Sequence, residues 1–511
     1  MAERAVQIGQ RAISWVAACF VAALTLVPLG AVFWSADSIA GVLTRDWGTV
    51  RFTVFQAFLS ALISVLLAVP VAKALARRRF FGRKLLITLL GAPFILPVIV
   101  AVVGLLAVFG RSGIVNQLLG VFGAEPISIY GLKGVVLAHV FFNLPLATRM
   151  ILQGWQAIPG ERFRLAATLG MTPWQVSRTL EWPMLRSLVP GAAMVIFVLC
   201  LSSFAVALTL GGGPRATTIE LAIYQSFRLD FDLGRAAMLS MVQLVLAGGA
   251  AAVALALAAP AGFGAGLDRV VRRFEAERGA VRVLDGVVLV AAAGFLLLPL
   301  GMIVLSGIAG LGRVPDVVYE AALVSLGIAL VSTALTVGLA LALARQGEVW
   351  GYLGLAISPM VIGTGAFLIL NPVIDPRLVA LPVTATVNAL MALPFAVRIL
   401  APEMRAIEAE YGRLADSLGL FGWARMRWLI LPRLRKSLGF AAGLAAALSM
   451  GDLGVVALFA APDWATLPLQ MYRLMGAYQM QAAAGAGLIL LCLSLVLFWI
   501  FDRGGRVDVD A

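Results

Sequence analysis

The chain is poor in charge and in the side chains that carry most protein chemistry. Only 13% of its 511 residues are charged, and it contains one histidine and three cysteines. Catalytic pairs, metal sites and disulfide frameworks draw on these residue types, so the sequence predicts no enzyme, no metal site and no cofactor. Cys19, Cys200 and Cys492 fall in apolar runs without paired spacing, and His139 is predicted to be a packed polar group rather than a catalyst.

Lysine is scarce as well, and its positions exclude a nucleotide-binding loop in this chain. None of the four lysines ends the G-x-x-x-x-G-K-[ST] pattern that cradles nucleotide phosphates. If ATP drives this protein, the ATPase must therefore be a separate chain.

Apolar surface is what the chain has in abundance. Hydrophobic residues make up 61% of it, and the mean hydropathy is +0.99, which is typical of a polytopic membrane protein. Nearly uncharged runs recur that are long enough to cross about 30 Å of hydrocarbon. We predict twelve spans, at 12–34, 52–76, 85–109, 131–151, 188–210, 236–259, 283–306, 320–344, 350–371, 378–400, 438–460 and 482–501.

The basic residues are distributed unevenly across these spans. With the N-terminus inside, 29 of the 39 lysines and arginines fall on cytoplasmic segments and 10 on the outer side. This is the positive-inside pattern, and it predicts a multi-pass membrane protein in contact with lipid and with both termini in the cytoplasm. The net charge of +13 then needs no nucleic acid to explain it, although a basic patch for an acidic ligand is the alternative. The first apolar run lacks a cleavage site and is expected to be an anchor, not a removed signal peptide.

One polar stretch occurs twice. Residues 144–186 and 393–435 align without a gap at an offset of 249, with 18 of 43 positions identical. A repeat at a fixed offset indicates duplicated architecture. We predict an all-α membrane protein with a first half at 1–262, a cytoplasmic linker at 263–282 and a second half at 283–511. Six spans in each half give both halves the same orientation, which places both polar loops (156–183 and 402–432) in the cytoplasm, facing a two-fold partner.

Each polar loop is predicted to form a helix, a glycine bend and a second helix. Gly170 permits a sharp bend that a β-carbon would resist, and Pro173 suits the first turn of the second helix. Pro183 ends the loop at the membrane surface. Small residues at Ala166 and Ala167 are expected to let the backbone of a partner come close.

This repeat resembles the EAA loop of ABC-importer permeases. The family pattern is an alanine, a glycine four residues later and a proline thirteen residues after that, and both loops meet it. The usual glutamate is replaced by Arg164 and Arg413, so the contacts of that glutamate are not carried over. The resemblance implies that both loops couple to an ATPase, through Glu161, Arg164, Ala166, Gly170, Trp174, Pro183, Glu410, Arg413, Ala415, Gly419, Trp423 and Pro432. Amphipathic helices that merely lie on the lipid interface are the alternative.

The segments after the loops resemble thiamine ABC transporter permeases, the fused two-half type of the binding-protein-dependent importer permeases. The resemblance rests on Ser203-Phe204-Ala205, the stretch Leu210–Pro214 and Gly451-Asp452-Leu453-Gly454. It implies a type I importer fold, two cytoplasmic ABC ATPase subunits, an outer substrate-binding protein, and thiamine or its phosphates as substrate. The alternatives are a fused ferric-iron-type permease, an ion-driven secondary transporter and a membrane scaffold.

A substrate path is predicted around one acidic residue. Asp452 lies in an apolar span, where an unpaired carboxylate is costly. We hypothesise that it lines the outer gate with Ser203, Glu220, Tyr224 and Tyr472, and that this set favours a thiamine-like cation through charge and cation–π contact. The alternative is that Asp452 caps a broken helix or pairs with a buried arginine.

Overall fold

The structure is a computed structural model that describes residues 2–36, 39–91, 95–211, 213, 216–257, 273, 279–345, 348–351, 353–355, 357–459 and 464–505. All regular structure in these residues is helical. The α-helices are α1 Ala2–Ser35, α2 Ile39–Arg77, α3 Arg83–Leu89, α4 Val98–Phe109, α5 Ile114–Val121, α6 Leu132–Ala157, α7 Gly160–Thr168, α8 Pro173–Val176, α9 Trp182–Leu201, α10 Phe204–Leu210, α11 Ile219–Arg228, α12 Leu233–Leu257, α13 Gly279–Gly310, α14 Val317–Leu343, α15 Glu348–Gly351, α16 Pro359–Leu370, α17 Pro376–Ser417, α18 Gly422–Arg425, α19 Leu431–Met450, α20 Gly454–Phe459, α21 Leu467–Gly476 and α22 Met480–Gly505.

The order of elements repeats from the first half of the chain to the second. Helices α4 and α16 have 12 residues each, α9 and α19 have 20, and α11 and α21 have 10. Two π-helical turns, Ser177–Glu181 and Met426–Ile430, precede α9 and α19 at corresponding positions. The repeat seen in the polar loops therefore extends through the helices on both sides of them. The domain boundaries stay a prediction, because most of the linker at 263–282 lies outside the described residues.

The all-α membrane class is confirmed. In the described ranges, eleven helical segments are long and apolar enough to cross a membrane. The third and ninth predicted spans differ from the prediction, because neither is one continuous helix. Pro97 and Pro359 lie at the starts of the 12-residue helices α4 and α16, and proline is tolerated at a helix start but not in its interior.

The two halves interlock in a reciprocal way. Helix α1 of the first half packs on α16 of the second, and α13 of the second half packs on α4 of the first. Glycines make both approaches possible: a β-carbon at Gly104 would lie 2.6 Å from the carbonyl oxygen of Pro299, and one at Gly365 would clash with the carbonyl of Pro28. Small residues at such crossings let membrane helices pack backbone to backbone.

Candidate functional site

The first polar loop contains the predicted bend. Helix α7 ends at Thr168, and Gly170 has φ +62°, a left-handed conformation that favours glycine. Thr172 then caps α8 in a capping box, accepting a hydrogen bond from the Gln175 backbone while the Gln175 side chain accepts one from the Thr172 backbone. Pro183 lies in the first turn of α9, at the end of the loop.

The second loop has the same bend, but the helix before the bend is different. Gly419 has φ +68°, close to the value at Gly170. The helix before it is not a separate piece: α17 runs unbroken for 42 residues to Ser417. In the first loop, by contrast, the chain breaks before α7, where Ile158 is extended and Pro159 precedes the helix.

The predicted coupling residues divide into exposed and buried groups. Trp174 and Trp423 are 73% and 71% exposed, so both indole rings face outward. Ala166 and Ala415 are only 4% and 2% exposed, so they pack inside their loops and are not on the surface that a partner would meet. The remaining predicted loop residues with a free surface are Glu161, Arg164, Gly170, Pro183, Glu410, Arg413, Gly419 and Pro432.

Sequence reasoning missed part of the exposed surface of the loops. Leu165 and Leu169 are exposed beside Trp174, and Leu414 and Leu418 are exposed in the second loop. Each loop therefore presents two leucines and a tryptophan at equivalent positions. The signal was available, because both leucine pairs are identical in the repeat alignment.

The predicted substrate residues lie where the long helices after the loops break. Helix α9 ends before Ser203 and α19 ends before Asp452, and the short helices α10 and α20 follow. Asp452 caps α20: its Oδ1 accepts a hydrogen bond from the Gly454 amide at 3.2 Å. Its buried Oδ2 has no hydrogen-bond partner among the described residues. Only one of the two carboxylate oxygens thus serves the helix.

One aromatic side chain of the first half lies beside the glycine whose amide Asp452 binds. A β-carbon at Gly454 would lie 3.6 Å from Oδ1 of Asp452 and 3.8 Å from the Phe204 ring, so both side chains border this glycine. Phe204 packs on Tyr224 with ring centroids 5.4 Å apart. Phe204 was not among the predicted site residues, although it stands in the motif that carried the family resemblance.

The two predicted tyrosines, Tyr224 and Tyr472, are related by the repeat. Tyr224 of α11 and Tyr472 of α21 occupy equivalent positions in two helices that lie outside the long apolar segments. Burial first, and the neighbouring phenol of Tyr224 second, raise the pKa of Tyr472. Phe204 thus contacts Tyr224, Tyr224 lies near enough to Tyr472 to affect its pKa, and Asp452 and Phe204 both border Gly454.

Glu220 has a different environment. It is fully buried on α11, and burial raises its pKa to about 7 against the weaker lowering effect of Ser358 and Gln243. Neither carboxyl oxygen reaches hydrogen-bonding geometry with a described residue. Ser203 precedes α10 at the position equivalent to Asp452 but makes no side-chain cap. The roles of Glu220 and Ser203 stay predictions.

Comparison with known proteins gives close relatives over the full chain. The thiamine transport system permease protein of Escherichia coli is 42% identical over 521 residues, with 97% of each chain covered. The protein of the same name from Haemophilus influenzae is 35% identical over 499 residues, with 92% of each chain covered. No family model matches the chain.

A more distant relative matches only part of the chain. A probable sulfate transport system permease protein of a Helicosporidium species is 25% identical over 232 residues, which is 44% of this chain and 85% of that protein. A match of this length agrees with a chain made of two permease-like halves. The near full-length similarity at up to 42% identity is decisive for the family. The chain belongs to the thiamine transport system permease protein family.

Proposed function

We propose that the chain is the membrane-spanning permease subunit of an ATP-driven, binding-protein-dependent importer of thiamine and its phosphates. The observation that carries the proposal is the near full-length similarity to permeases of thiamine transport systems. The names of those relatives favour thiamine over the ferric-iron alternative. The protein has a transport role, and ATP hydrolysis belongs to a partner.

Two copies of an ABC ATPase are the partners proposed for the cytoplasmic face. Each would receive one loop, with the exposed leucines and tryptophan of that loop seated in a groove as helical anchors. The support is the duplication itself, because two equivalent surfaces suit two identical subunits. A substrate-binding protein would deliver the ligand on the outer side of the bacterial inner membrane, with both termini of the chain in the cytoplasm.

The proposed ligand contacts lie at the helix breaks. Oδ2 of Asp452, which has no partner among the described residues, would face the positive charge of the thiazolium ring. Phe204, Tyr224 and Tyr472 would offer aromatic faces, each worth about 0.5–2 kcal/mol to a cation. Asp452 and Tyr472 belong to the second half and Phe204 and Tyr224 to the first, so motion of one half against the other would assemble and open this site. Coupling requires that the ligand and the ATPase each bind the two states with different affinity.

Reconstitution tests the proposal. The permease, the candidate ATPase and the candidate binding protein are assembled in proteoliposomes, and ATP hydrolysis is measured with thiamine, thiamine phosphates or ferric iron. We expect hydrolysis to rise with thiamine or its phosphates and not with iron. Stimulation by iron alone would overturn the assigned substrate. Uptake that persists without ATP, together with failure of any ATPase to co-purify, would overturn the importer mechanism.

A further inference from the structure

A buried arginine of the inter-half linker reaches into the first polar loop. The side chain of Arg273 is only 1% exposed, and its Nη1 lies 2.7 Å from Oε1 of Glu181. Its guanidinium also lies over the ring of Phe163, 4.3 Å from the centroid. Phe163 belongs to α7 and Glu181 ends the π-helical turn. The Arg273 side chain therefore contacts the helical segments on both sides of the bend.

Glu181 extends this contact to the membrane helices. Its Oε2 lies 2.6 Å from Nζ of Lys73 on α2, and its Oε1 accepts a hydrogen bond from Nε1 of Trp155 on α6 at 3.2 Å. The carboxylate thus joins α2, α6 and the linker beneath the loop. Because Lys73 also pairs with Glu181, we expect the carboxylate to stay compensated when Arg273 is removed.

The second loop also has a buried arginine, but it comes from the loop itself. Arg425 of α18 bonds Asp416 through Nη1 at 2.6 Å and pairs with Glu408 through Nη2. Oε1 of Glu408 in turn lies 3.0 Å from Nη2 of Arg345, which follows the end of α14. This cluster also ties the bend to the helices beneath it.

The repeat alignment relates the two clusters. Gly412 stands where the first loop has Phe163, and a β-carbon there would lie 2.9 Å from Nη2 of Arg425. Arg425 itself aligns with Val176, a buried apolar residue that cannot supply a charge. Both loops therefore hold a guanidinium beside equivalent positions, although only the second loop encodes it.

We infer that Arg273 is a positioning residue for the first polar loop, and that the linker supplies to this loop the guanidinium that the second loop supplies to itself. The inference deepens the proposed function, since it assigns the linker a part in coupling to the ATPase. A planar guanidinium can hydrogen-bond Glu181 and stack on Phe163 at once, which a lysine ammonium does less well. The shape of α7 then depends on the linker, whereas the shape of the second loop does not.

Hydrogen exchange on the full-length permease alone tests this inference without any ATPase. In Arg273→Ala we expect amide exchange in α7 to rise about tenfold, with residues 408–417 unchanged, because local opening is set by local contacts. Arg425→Ala should show the reverse pattern. Arg273→Lys should resemble Arg273→Ala, and Arg282→Ala, which changes an exposed arginine at the start of α13, should change neither loop.

Two outcomes would overturn the inference. One is that exchange in α7 is the same in Arg273→Ala as in the unchanged protein. The other is that both loops exchange faster to a similar degree, which would mean a general loss of stability rather than a local one.

Site-directed cross-linking connects the inference to coupling. With exposed Cys19 and Cys492 replaced by serine, a cysteine is placed at Leu169 or at Leu418 and cross-linked to the ATPase. Arg273→Ala should lower the yield at Leu169 by about tenfold and leave the yield at Leu418 unchanged, as expected for loss of a pre-organised surface. If neither position of the otherwise unchanged protein cross-links, the docking proposal fails while the exchange result still decides the role of Arg273.

Discussion

The exposed surfaces of the two polar loops carry the same leucines and tryptophan, whereas several buried positions of the two halves carry different residues. The outward pairs are identical leucines and tryptophans, namely Leu165 and Leu414, Leu169 and Leu418, and Trp174 and Trp423. Three pairs away from this surface differ in size, charge or both, namely Phe163 and Gly412, Val176 and Arg425, and Ser203 and Asp452, whereas the buried Ala166 and Ala415 are identical. In most duplicated proteins one expects the opposite, because cores are constrained by packing and surfaces are free.

This unusual distribution of identical and different residues indicates what kind of partner each region binds. An exposed apolar surface that stays the same in both copies suits a partner that is itself present twice. A small ligand has no two-fold symmetry, so the side chains around it gain nothing from being equal in the two halves. The identical loop surfaces thus indicate a two-fold symmetric partner, and the unlike residues at the helix breaks indicate an asymmetric ligand.

The largest effect is expected at the helix breaks, where Asp452 and Ser203 occupy equivalent positions. Asp452→Asn keeps an amide oxygen that can cap α20 but removes the negative charge. Hydrogen bonds to charged groups are worth about 1.5–3 kcal/mol, so thiamine uptake should fall about ten- to a hundredfold. Ser203→Ala should change uptake less than about twofold, since its hydroxyl is neutral, half-buried and caps no helix. Initial uptake rates at matched expression measure both.

Asp452→Ala separates capping from ligand binding. Loss of a hydrogen bond that caps a helix start costs about 1 kcal/mol, so this variant should be less stable than Asp452→Asn while showing a similar transport defect. Thermal unfolding in detergent follows stability, and uptake follows transport. Normal uptake by a well-folded Asp452→Asn would mean that the carboxylate serves only the helix.

The next largest effect is expected at the tryptophans, and it should be equal in the two loops. Trp174→Ala and Trp423→Ala each remove a large exposed ring of the kind that dominates interfaces, at about 2 kcal/mol or more. Each variant should therefore weaken binding of the ATPase about thirtyfold or more at the loop concerned. Binding is measured by titrating purified ATPase onto the permease in nanodiscs. A large effect in one loop and none in the other would break the proposed two-fold equivalence.

The glycine bends should give a smaller effect that differs between the loops. A valine at Gly170 or Gly419 must adopt a left-handed conformation that costs about 1–2 kcal/mol. We expect Gly170→Val to weaken ATPase binding more than Gly419→Val, because α7 has 9 residues of its own and α17 has 42. Membrane insertion should be normal in both variants, as checked by expression and gel filtration. An equal loss in both would mean that the continuity of α17 gives the second loop no rigidity.

Much of the architecture could be predicted because its signals are local. Apolar runs predict membrane helices, and the glycines of the repeat predict bends that appear with φ +62° and +68°. The cap by Asp452 was one of two open alternatives, and the structure gives the cap to one oxygen, while the other has no partner in the described part of the chain. A single carboxylate can serve both roles, which a choice between them did not anticipate.

The rest depends on contacts between distant parts of the chain. The breaks before α4 and α16 were missed because the prolines stand inside otherwise apolar runs, and length alone favoured continuous spans. The inward side of Ala166 could not be read from a motif, since small residues suit a partner surface and an internal contact equally well. The contact of Arg273 with Glu181 spans 92 residues and leaves no periodic signal.

The smallest effect is expected for the charges that depart from the family pattern. Arg164 bonds Glu161 at 2.9 Å, but both side chains are 70% exposed. Exposed ion pairs of this spacing contribute about 0–1 kcal/mol, because water and salt screen them and ordering two long side chains costs entropy. Arg164→Gln should therefore weaken ATPase binding by less than about fivefold, and Arg413→Gln should do the same in the second loop. Titration at low and at high salt measures the effect, which should shrink as salt rises. A loss as large as that of Trp174→Ala would instead place Arg164 in a direct contact with an acidic group of the ATPase, and would make charge rather than the apolar surface the determinant of docking.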